Sequence, residues 1–173
     1  MNKKVTVAIA GLGSRGLDCY AQVAKLLPEK MEITAVADIR PERVEEAKRQ
    51  FGISAERCYT SAEEMLQQPR LAEVMFICTQ DRQHVGHGVP ALKKGYHLLL
   101  EKPVSPDLEE CREIVRVAHE CNRHVVVCHV LRYTPFYSKL KEIVDSGVIG
   151  DIVSIQAIEN VGYWHQAHSF VRG

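Results

Sequence analysis

The amino-acid sequence predicts a doubly wound parallel α/β sheet, followed by the start of a second, α+β domain. Short apolar runs alternate with amphipathic stretches up to residue 128, and a glycine-rich turn directly follows the first run. Beyond residue 128 this alternation stops. Uninterrupted apolar runs are typical of strands buried on both faces, and strand–helix alternation favours parallel strands joined by right-handed crossovers. We therefore expect one domain over residues 1–128 and part of a second over residues 129–173.

Five strands and five helices of the first domain follow from this pattern. The predicted strands cover residues 5–10, 33–37, 73–78, 96–100 and 125–128. Helical periodicity predicts helices over residues 15–27, 41–51, 84–94 and 107–122. A short helix is expected to begin at Ser61, because Ser-x-x-Glu there forms a capping-box pattern. Pro41 fits the first turn of its helix, where a missing N–H loses no partner.

The last part of the chain has a different pattern. Residues 135–146 are predicted to form a helix, and residues 152–158 alternate apolar and polar side chains. Such alternation is typical of an antiparallel strand with one exposed face. An exposed strand edge invites pairing with another chain, so we expect a homo-oligomer.

Composition excludes several classes of protein. The 22 Lys+Arg residues balance 22 Asp+Glu without a basic stripe, which argues against a nucleic-acid partner. No apolar run approaches the roughly 20 residues that span a bilayer, and the chain start has no signal-peptide pattern. The six cysteines form no CxxC pair, so we expect reduced thiols of a cytoplasmic protein and no metal site.

The turn after the first strand reads GLGSRG at residues 11–16. Gly11 permits a tight turn, Gly13 lets the backbone approach a pyrophosphate, and Gly16 allows close helix–strand packing. Ser14 and Arg15 add a hydroxyl and a positive charge near the same anion. Because a strand precedes this motif and a helix follows it, the sequence predicts a dinucleotide site rather than a plain strand–helix turn.

The end of the second strand bears on which dinucleotide is bound. Asp38 stands where an acidic side chain accepts hydrogen bonds from the ribose hydroxyls of NAD. A carboxylate there repels a 2′-phosphate, so NAD is favoured over NADP. Arg40 lies two residues further on and keeps NADP possible, since an arginine can contact that phosphate.

Five motifs together resemble the Gfo/Idh/MocA family (glucose-fructose oxidoreductase / inositol dehydrogenase) over nearly the whole chain. They are GLGSRG, Asp38, the loop from Cys78 to His84, the tripeptide Glu101-Lys102-Pro103, and the run from His129 to Pro135. The Glu-Lys-Pro tripeptide at this spacing is the specific signal. The resemblance implies an NAD(P)-binding Rossmann domain over residues 1–128 and an N-terminal fragment of a substrate domain over residues 129–173.

The resemblance also implies roles for single residues near the cofactor. Lys102 directly follows a strand and matches the family's catalytic lysine, and Glu101 and Lys102 are expected to lie beside the cofactor. From position alone, Lys102 is equally consistent with a surface lysine at a strand end. Thr79 and His84 match a family loop that lines the cofactor, and Gln80 stands in that loop where the family has proline.

Substrate contacts are expected after residue 128. His129 and Arg132 lie at the crossing into the second domain, where packing at the domain joint is an equal alternative. Trp164 can stack on a sugar ring, and His165 and His168 can hydrogen-bond its hydroxyls. The His-x-x-His spacing alone does not make a zinc site, because no cysteine or carboxylate cluster accompanies it.

The predicted function is hydride transfer between a nicotinamide cofactor and a secondary hydroxyl of a sugar, inositol or related polyol. Family members continue beyond the length of this chain and supply a catalytic histidine there. We therefore expect this fragment to bind nucleotide with little turnover. The alternatives are an NAD-dependent glycosidase on the same scaffold and a non-catalytic nucleotide-binding domain.

Overall fold

A computed structural model describes residues 3–167 of the chain. The chain divides into two compact units, of which the first ends at Cys128 and the second begins at His129. Among the helices of the described residues, none is both long enough and apolar enough to cross a bilayer.

The first unit contains one six-stranded parallel sheet. Its strands are β1 (Val5–Ala10), β2 (Met31–Ala37), β3 (Cys58–Tyr59), β4 (Val74–Ile77), β5 (His97–Leu100) and β6 (Val125–Val127). Their order across the sheet is β3-β2-β1-β4-β5-β6, and every neighbouring pair is parallel. The order reverses between β1 and β4, which is the switch point where doubly wound sheets open a crevice. The structure confirms the predicted α/β fold and adds β3, which is too short to show an apolar run.

Helices connect the strands. They are a π-helix (Ser14–Tyr20), α1 (Val23–Leu26), α2 (Pro41–Phe51), α3 (Ala62–Gln67), α4 (His84–Lys93) and α5 (Leu108–Glu120). Short 3₁₀ turns cover Ala55–Arg57 and Asp81–Gln83. Ser61 caps α3 as predicted, since its hydroxyl accepts a hydrogen bond from the backbone N–H of Glu64 at 3.1 Å.

The single helix predicted over residues 15–27 is divided in two. The backbone N–H of Ala21 bonds the carbonyl of Gly16, five residues earlier, so the first turns are wider than those of an α-helix. A regular α-helix resumes only at Val23. Apolar periodicity cannot distinguish these cases, because both geometries bury the same side of such a short segment.

The core of the first unit consists of two apolar layers, one on each face of the sheet. Along β1, Val7 and Ile9 belong to one layer, while Ala8 and Ala10 belong to the other. This follows from the alternation of side chains along a strand. Helix α2 covers the first face, and α3, α4 and α5 cover the second.

The second unit contains a 3₁₀ turn (Val130–Tyr133), α6 (Pro135–Asp145) and α7 (Tyr163–His165). The helix predicted over residues 135–146 is therefore confirmed. The strand predicted over residues 152–158 is wrong, because this segment has no regular secondary structure and its apolar side chains are exposed. A strand requires a partner for its backbone groups, and no other strand occurs among residues 129–167. Residues 152–158 therefore offer no strand edge for self-association.

Candidate functional site

The carboxyl ends of the central strands place the predicted site residues along one edge of the sheet. Gly11 follows β1, Asp38 follows β2, Thr79 follows β4 by two residues, and Glu101 follows β5. Neighbouring strands are hydrogen-bonded in register up to these ends. The sheet thus brings these four residues to the edge where ligands bind in doubly wound folds.

The three glycines of the loop after β1 have different surroundings. Gly11 has φ +90°, and a Cβ placed on it would lie 2.4 Å from the carbonyl oxygen of Cys78. A Cβ on Gly16 would lie 1.9 Å from the carbonyl oxygen of Gly11. A Cβ on Gly13 would meet no atom within 4 Å. Packing therefore requires glycine at two of these positions, whereas Gly13 borders open space beside the loop.

Asp38 holds the glycine loop and the start of α2 together. Its buried carboxylate accepts hydrogen bonds from the backbone N–H of Leu12 at 2.6 Å and of Arg40 at 2.9 Å. The Arg40 guanidinium also reaches it at 3.4 Å and is half exposed. A carboxylate has about four lone-pair positions, so Asp38 can still accept a further hydrogen bond.

Arg43 of α2 contacts the glycine loop, and it is a further residue of the site that the sequence motifs do not identify. Its Nε donates to the carbonyl of Leu12 at 2.6 Å, and its terminal nitrogen contacts Asp18 at 2.7 Å. Arg43 lies in the first turn of α2, five residues after Asp38. An arginine in the first helical turn after Asp38 is the sequence signal for this contact with the glycine loop.

Glu101 fixes the loop that carries Lys102. Glu101 is only 7% exposed, and its carboxylate accepts hydrogen bonds from the Tyr20 hydroxyl and from the backbone N–H of Lys102, the latter at 3.0 Å. Burial, and then the hydrogen bond to Glu101, raise the pKa of Tyr20, so its hydroxyl stays a donor. The Lys102–Pro103 peptide bond is cis, and Lys102 is exposed in this unit.

His84 joins the loop after β4 to the loop after β5. Its ring is 1% exposed, with Nδ1 2.7 Å from the carbonyl of Pro103 and Nε2 3.1 Å from the carbonyl of Thr79. Both contacts are hydrogen bonds at once only when each ring nitrogen carries a proton. Gln80 is exposed and directly precedes the 3₁₀ turn, and its backbone N–H donates to the side-chain oxygen of Gln83 at 3.2 Å.

Two thiols border the same edge of the sheet. Cys78 follows β4, and Cys128 follows β6. Burial raises the pKa of both, so both remain protonated thiols with little nucleophilic character. All six cysteines are free in the structure.

The remaining predicted site residues belong to the second unit. His129 precedes the 3₁₀ turn that contains Arg132, and the backbone N–H of Arg132 bonds the carbonyl of His129 at 3.1 Å. Trp164 and His165 lie in α7, where Trp164 is 68% exposed. His168 lies outside the described residues. Within residues 3–167 no group of three or more side chains is arranged to hold a metal ion.

The strand order and the glycine loop at the switch point define a Rossmann-type nucleotide-binding domain. The family model GFO_IDH_MocA, described as oxidoreductase family, NAD-binding Rossmann fold, matches residues 5–129. The chain belongs to this family, as its motifs predicted.

Known relatives extend this result. An inositol 2-dehydrogenase/D-chiro-inositol 3-dehydrogenase of Lactiplantibacillus plantarum is 30% identical over 146 residues, which are 83% of this chain and 41% of that protein. The glycosyl hydrolase family 109 protein 2 of Phocaeicola vulgatus is 29% identical over 153 residues, or 86% of this chain and 37% of that protein. The chain therefore spans about two fifths of the length of these curated relatives.

A solved structure shows the same fold. The scyllo-inositol dehydrogenase from Lactobacillus casei, determined with bound NAD(H) and scyllo-inositol, superimposes with a TM-score of 0.78 at 25% identity. The match covers 87% of this chain and 43% of that one.

Proposed function

We propose that this chain binds NAD at the carboxyl edge of its sheet and belongs to an oxidoreductase that acts on a secondary hydroxyl of a sugar, inositol or related polyol. The observation that carries the proposal is the open space beside Gly13, in a loop whose other two glycines are tightly packed. A pyrophosphate needs such a close approach to the backbone at this point of the fold.

The charge of Asp38 supports NAD as the preferred dinucleotide. The carboxylate is held in place by Leu12 and Arg40, so it cannot swing away from an adenosine ribose beside it. It can accept a ribose hydroxyl, whereas it would repel the 2′-phosphate of NADP. Arg40 is already paired with Asp38, which lowers its capacity to neutralise that phosphate.

The residues of the Lys102 loop support a role in proton movement. When bound, NAD supplies a nicotinamide C4 that accepts the hydride of the substrate carbon. The Lys102 ammonium is proposed to donate a hydrogen bond to the oxygen of the substrate hydroxyl, which stabilises the negative charge left there when a general base takes the hydroxyl proton. Glu101, held by Tyr20, fixes the backbone from which Lys102 projects.

A polyol substrate is proposed because inositol dehydrogenases are among the relatives. The similarity to a glycosyl hydrolase family 109 protein supports a second candidate, an NAD-dependent glycosidase. The two differ in their products: a dehydrogenase forms one NADH for each alcohol oxidised, whereas a glycosidase of this kind releases a sugar with no net NADH.

Calorimetric titration of the chain with NADH and NADPH tests the proposal. We expect NADH to bind about tenfold more tightly, and the isosteric variant Asp38→Asn to reduce this preference to about twofold. The amide oxygen can still accept from Leu12, whereas the acceptor for the backbone N–H of Arg40 and the negative charge are lost. Asp145→Asn, in α6, is the control. An unchanged preference in Asp38→Asn would contradict the role of Asp38, and failure of both nucleotides to bind would contradict the proposed site.

A further inference from the structure

Three polar side chains form a hydrogen-bonded chain that leads from the protein surface to the loop after β4. Glu63 in the first turn of α3 contacts Nε2 of His87 in α4 at 2.9 Å. Nδ1 of His87 contacts the hydroxyl of Thr79 at 3.1 Å. We call this arrangement the Glu63–His87–Thr79 relay.

Burial differs along the relay. The His87 side chain is only 7% exposed, while that of Glu63 is 63% exposed. Burying a polar ring requires that its nitrogens be hydrogen-bonded, and the two ends of the relay satisfy both ring nitrogens of His87. Thr79, at the inner end of the relay, is partly buried.

The proton positions in the relay follow from the chemistry of its acidic end. The hydrogen bond from His87 lowers the pKa of Glu63 to about 2, so the group is a carboxylate and can only accept hydrogen bonds. Nε2 of His87 must then carry a proton. In the neutral ring Nδ1 is an acceptor, and the Thr79 hydroxyl must donate its proton to it.

The backbone of Thr79 is also fixed at the proposed nucleotide site. Its carbonyl oxygen lies 3.1 Å from Nε2 of His84, which is one helical turn before His87 on α4. Its backbone nitrogen lies 2.8 Å from the position of a Cβ on Gly11, so the residue adjoins the glycine loop. Two histidines of one helix thus lie against the carbonyl and the hydroxyl of the same residue.

We propose that Glu63 and His87 are positioning residues that hold the Thr79 hydroxyl as a hydrogen-bond acceptor for a donor group on the nicotinamide half of the dinucleotide. This inference rests on the proposed function. When the His87 ring is neutral and Nδ1 accepts the hydroxyl proton, the Thr79 oxygen offers only lone pairs to a ligand. It therefore accepts from an amide N–H or a ribose O–H and repels a phosphate oxygen.

Nitrogen-15 spectra of the histidine rings test the relay without any ligand. In the unaltered chain we expect His87 to be protonated at Nε2 and unprotonated at Nδ1, with its signals assigned by their loss in His87→Gln. Glu63→Gln should lower the proportion of this tautomer, because an amide can donate to Nε2 as well as accept from it. Glu113→Gln, an exposed carboxylate of α5, is the matched control. A predominant Nδ1–H tautomer, a ring protonated at both nitrogens, or a tautomer ratio that Glu63→Gln leaves unchanged would overturn the relay.

Nucleotide affinities test the acceptor role. Thr79→Val should weaken NADH binding about tenfold, while Thr79→Ser should retain it within about twofold. Glu63→Gln should weaken it about threefold. ADP, which lacks the nicotinamide half, should bind all four chains equally.

The outcomes separate the inference from the proposed function. Tight NADH binding by Thr79→Val, with ADP binding intact, overturns the acceptor role and leaves the nucleotide site standing. Absence of NADH and ADP binding in the unaltered chain overturns the proposed function and the acceptor role together, and the ring spectra still decide the proton arrangement of the relay.

Discussion

The three glycines in the loop after β1 have different roles: two permit close backbone packing, and one borders open space. Gly11 and Gly16 lie so close to neighbouring carbonyls that a side chain at either would displace backbone atoms. Gly13 has an extended conformation, φ −71° and ψ −166°, which any residue can adopt. Stability therefore does not require glycine at position 13, and the open space beside it is available to a ligand.

This difference predicts opposite effects of two alanine substitutions. Gly16→Ala should lower the free energy of unfolding by at least about 2 kcal/mol, because overpacking against the backbone must shift the loop. Gly13→Ala should change it by less than about 0.5 kcal/mol, yet weaken NADH binding more than about tenfold. Urea denaturation and calorimetric titration of both variants check this. Tight NADH binding by a stable Gly13→Ala variant would contradict the cradle.

The sequence predicts where residues that directly follow a strand lie in the fold. Gly11, Asp38 and Glu101 were placed at one sheet edge because parallel strands end together there. The sequence does not predict the contact of Tyr20 with Glu101, which are 81 positions apart. Such a contact depends on the orientation of side chains from elements that are distant in the chain. His87 had a weak signal, because it lies three residues after His84 on the same helix.

At the scale of elements, the π-helix links the glycine loop to the end of β5. Tyr20 lies at its last position, and the Tyr20 ring packs edge-on against Phe76 of β4 with centroids 6.3 Å apart. Its hydroxyl reaches the buried carboxylate of Glu101. One residue thereby fixes the π-helix against β4 and the Lys102 loop.

Tyr20→Phe should therefore destabilise the fold without disturbing packing. We expect the free energy of unfolding at pH 7 to fall by about 1–2 kcal/mol, because Glu101 loses one of its two donors. The raised pKa of Tyr20 means that its contribution is complete below about pH 10 and is lost as the pH rises further. Urea denaturation at pH 7 and above about pH 10 measures this, with Tyr133→Phe, at an exposed tyrosine, as control. Equal stability of the Tyr20 and Tyr133 variants would show that the bond contributes nothing.

Two differences between expected and observed elements have one physical origin. Strand β3 is only two residues long and forms because β2 offers a partner, with Val36 opposite Cys58. Residues 152–158 have the alternation of a strand but no partner strand among residues 129–167. Local pattern describes how a strand would bury its side chains, whereas hydrogen bonding with a neighbour decides whether it forms.

At the scale of the whole molecule, the two units differ in how they are stabilised. Within residues 3–167, every buried apolar residue lies at or before Cys128. Helix α6 has no buried residue, and apolar side chains such as Phe136 and Ile149 are exposed. The first unit thus contains a complete two-layer core made from its own residues.

A chain ending at Cys128 should consequently fold by itself. We expect its free energy of unfolding to equal that of the full chain within about 0.5 kcal/mol, because no core residue is removed. A chain ending at Asn122 is the matched comparison, since it also loses β6 and the pairing of Leu98–Leu100 with Val125–Val127. It should lose at least about 2 kcal/mol, because apolar surface of β5 becomes exposed and the hydrogen bonds between β5 and β6 disappear.

Urea denaturation followed by far-ultraviolet circular dichroism measures both chains. A large loss of stability in the chain ending at Cys128 would mean that residues 129–173 stabilise the first unit, and equal stability of the two shortened chains would mean that β6 does not.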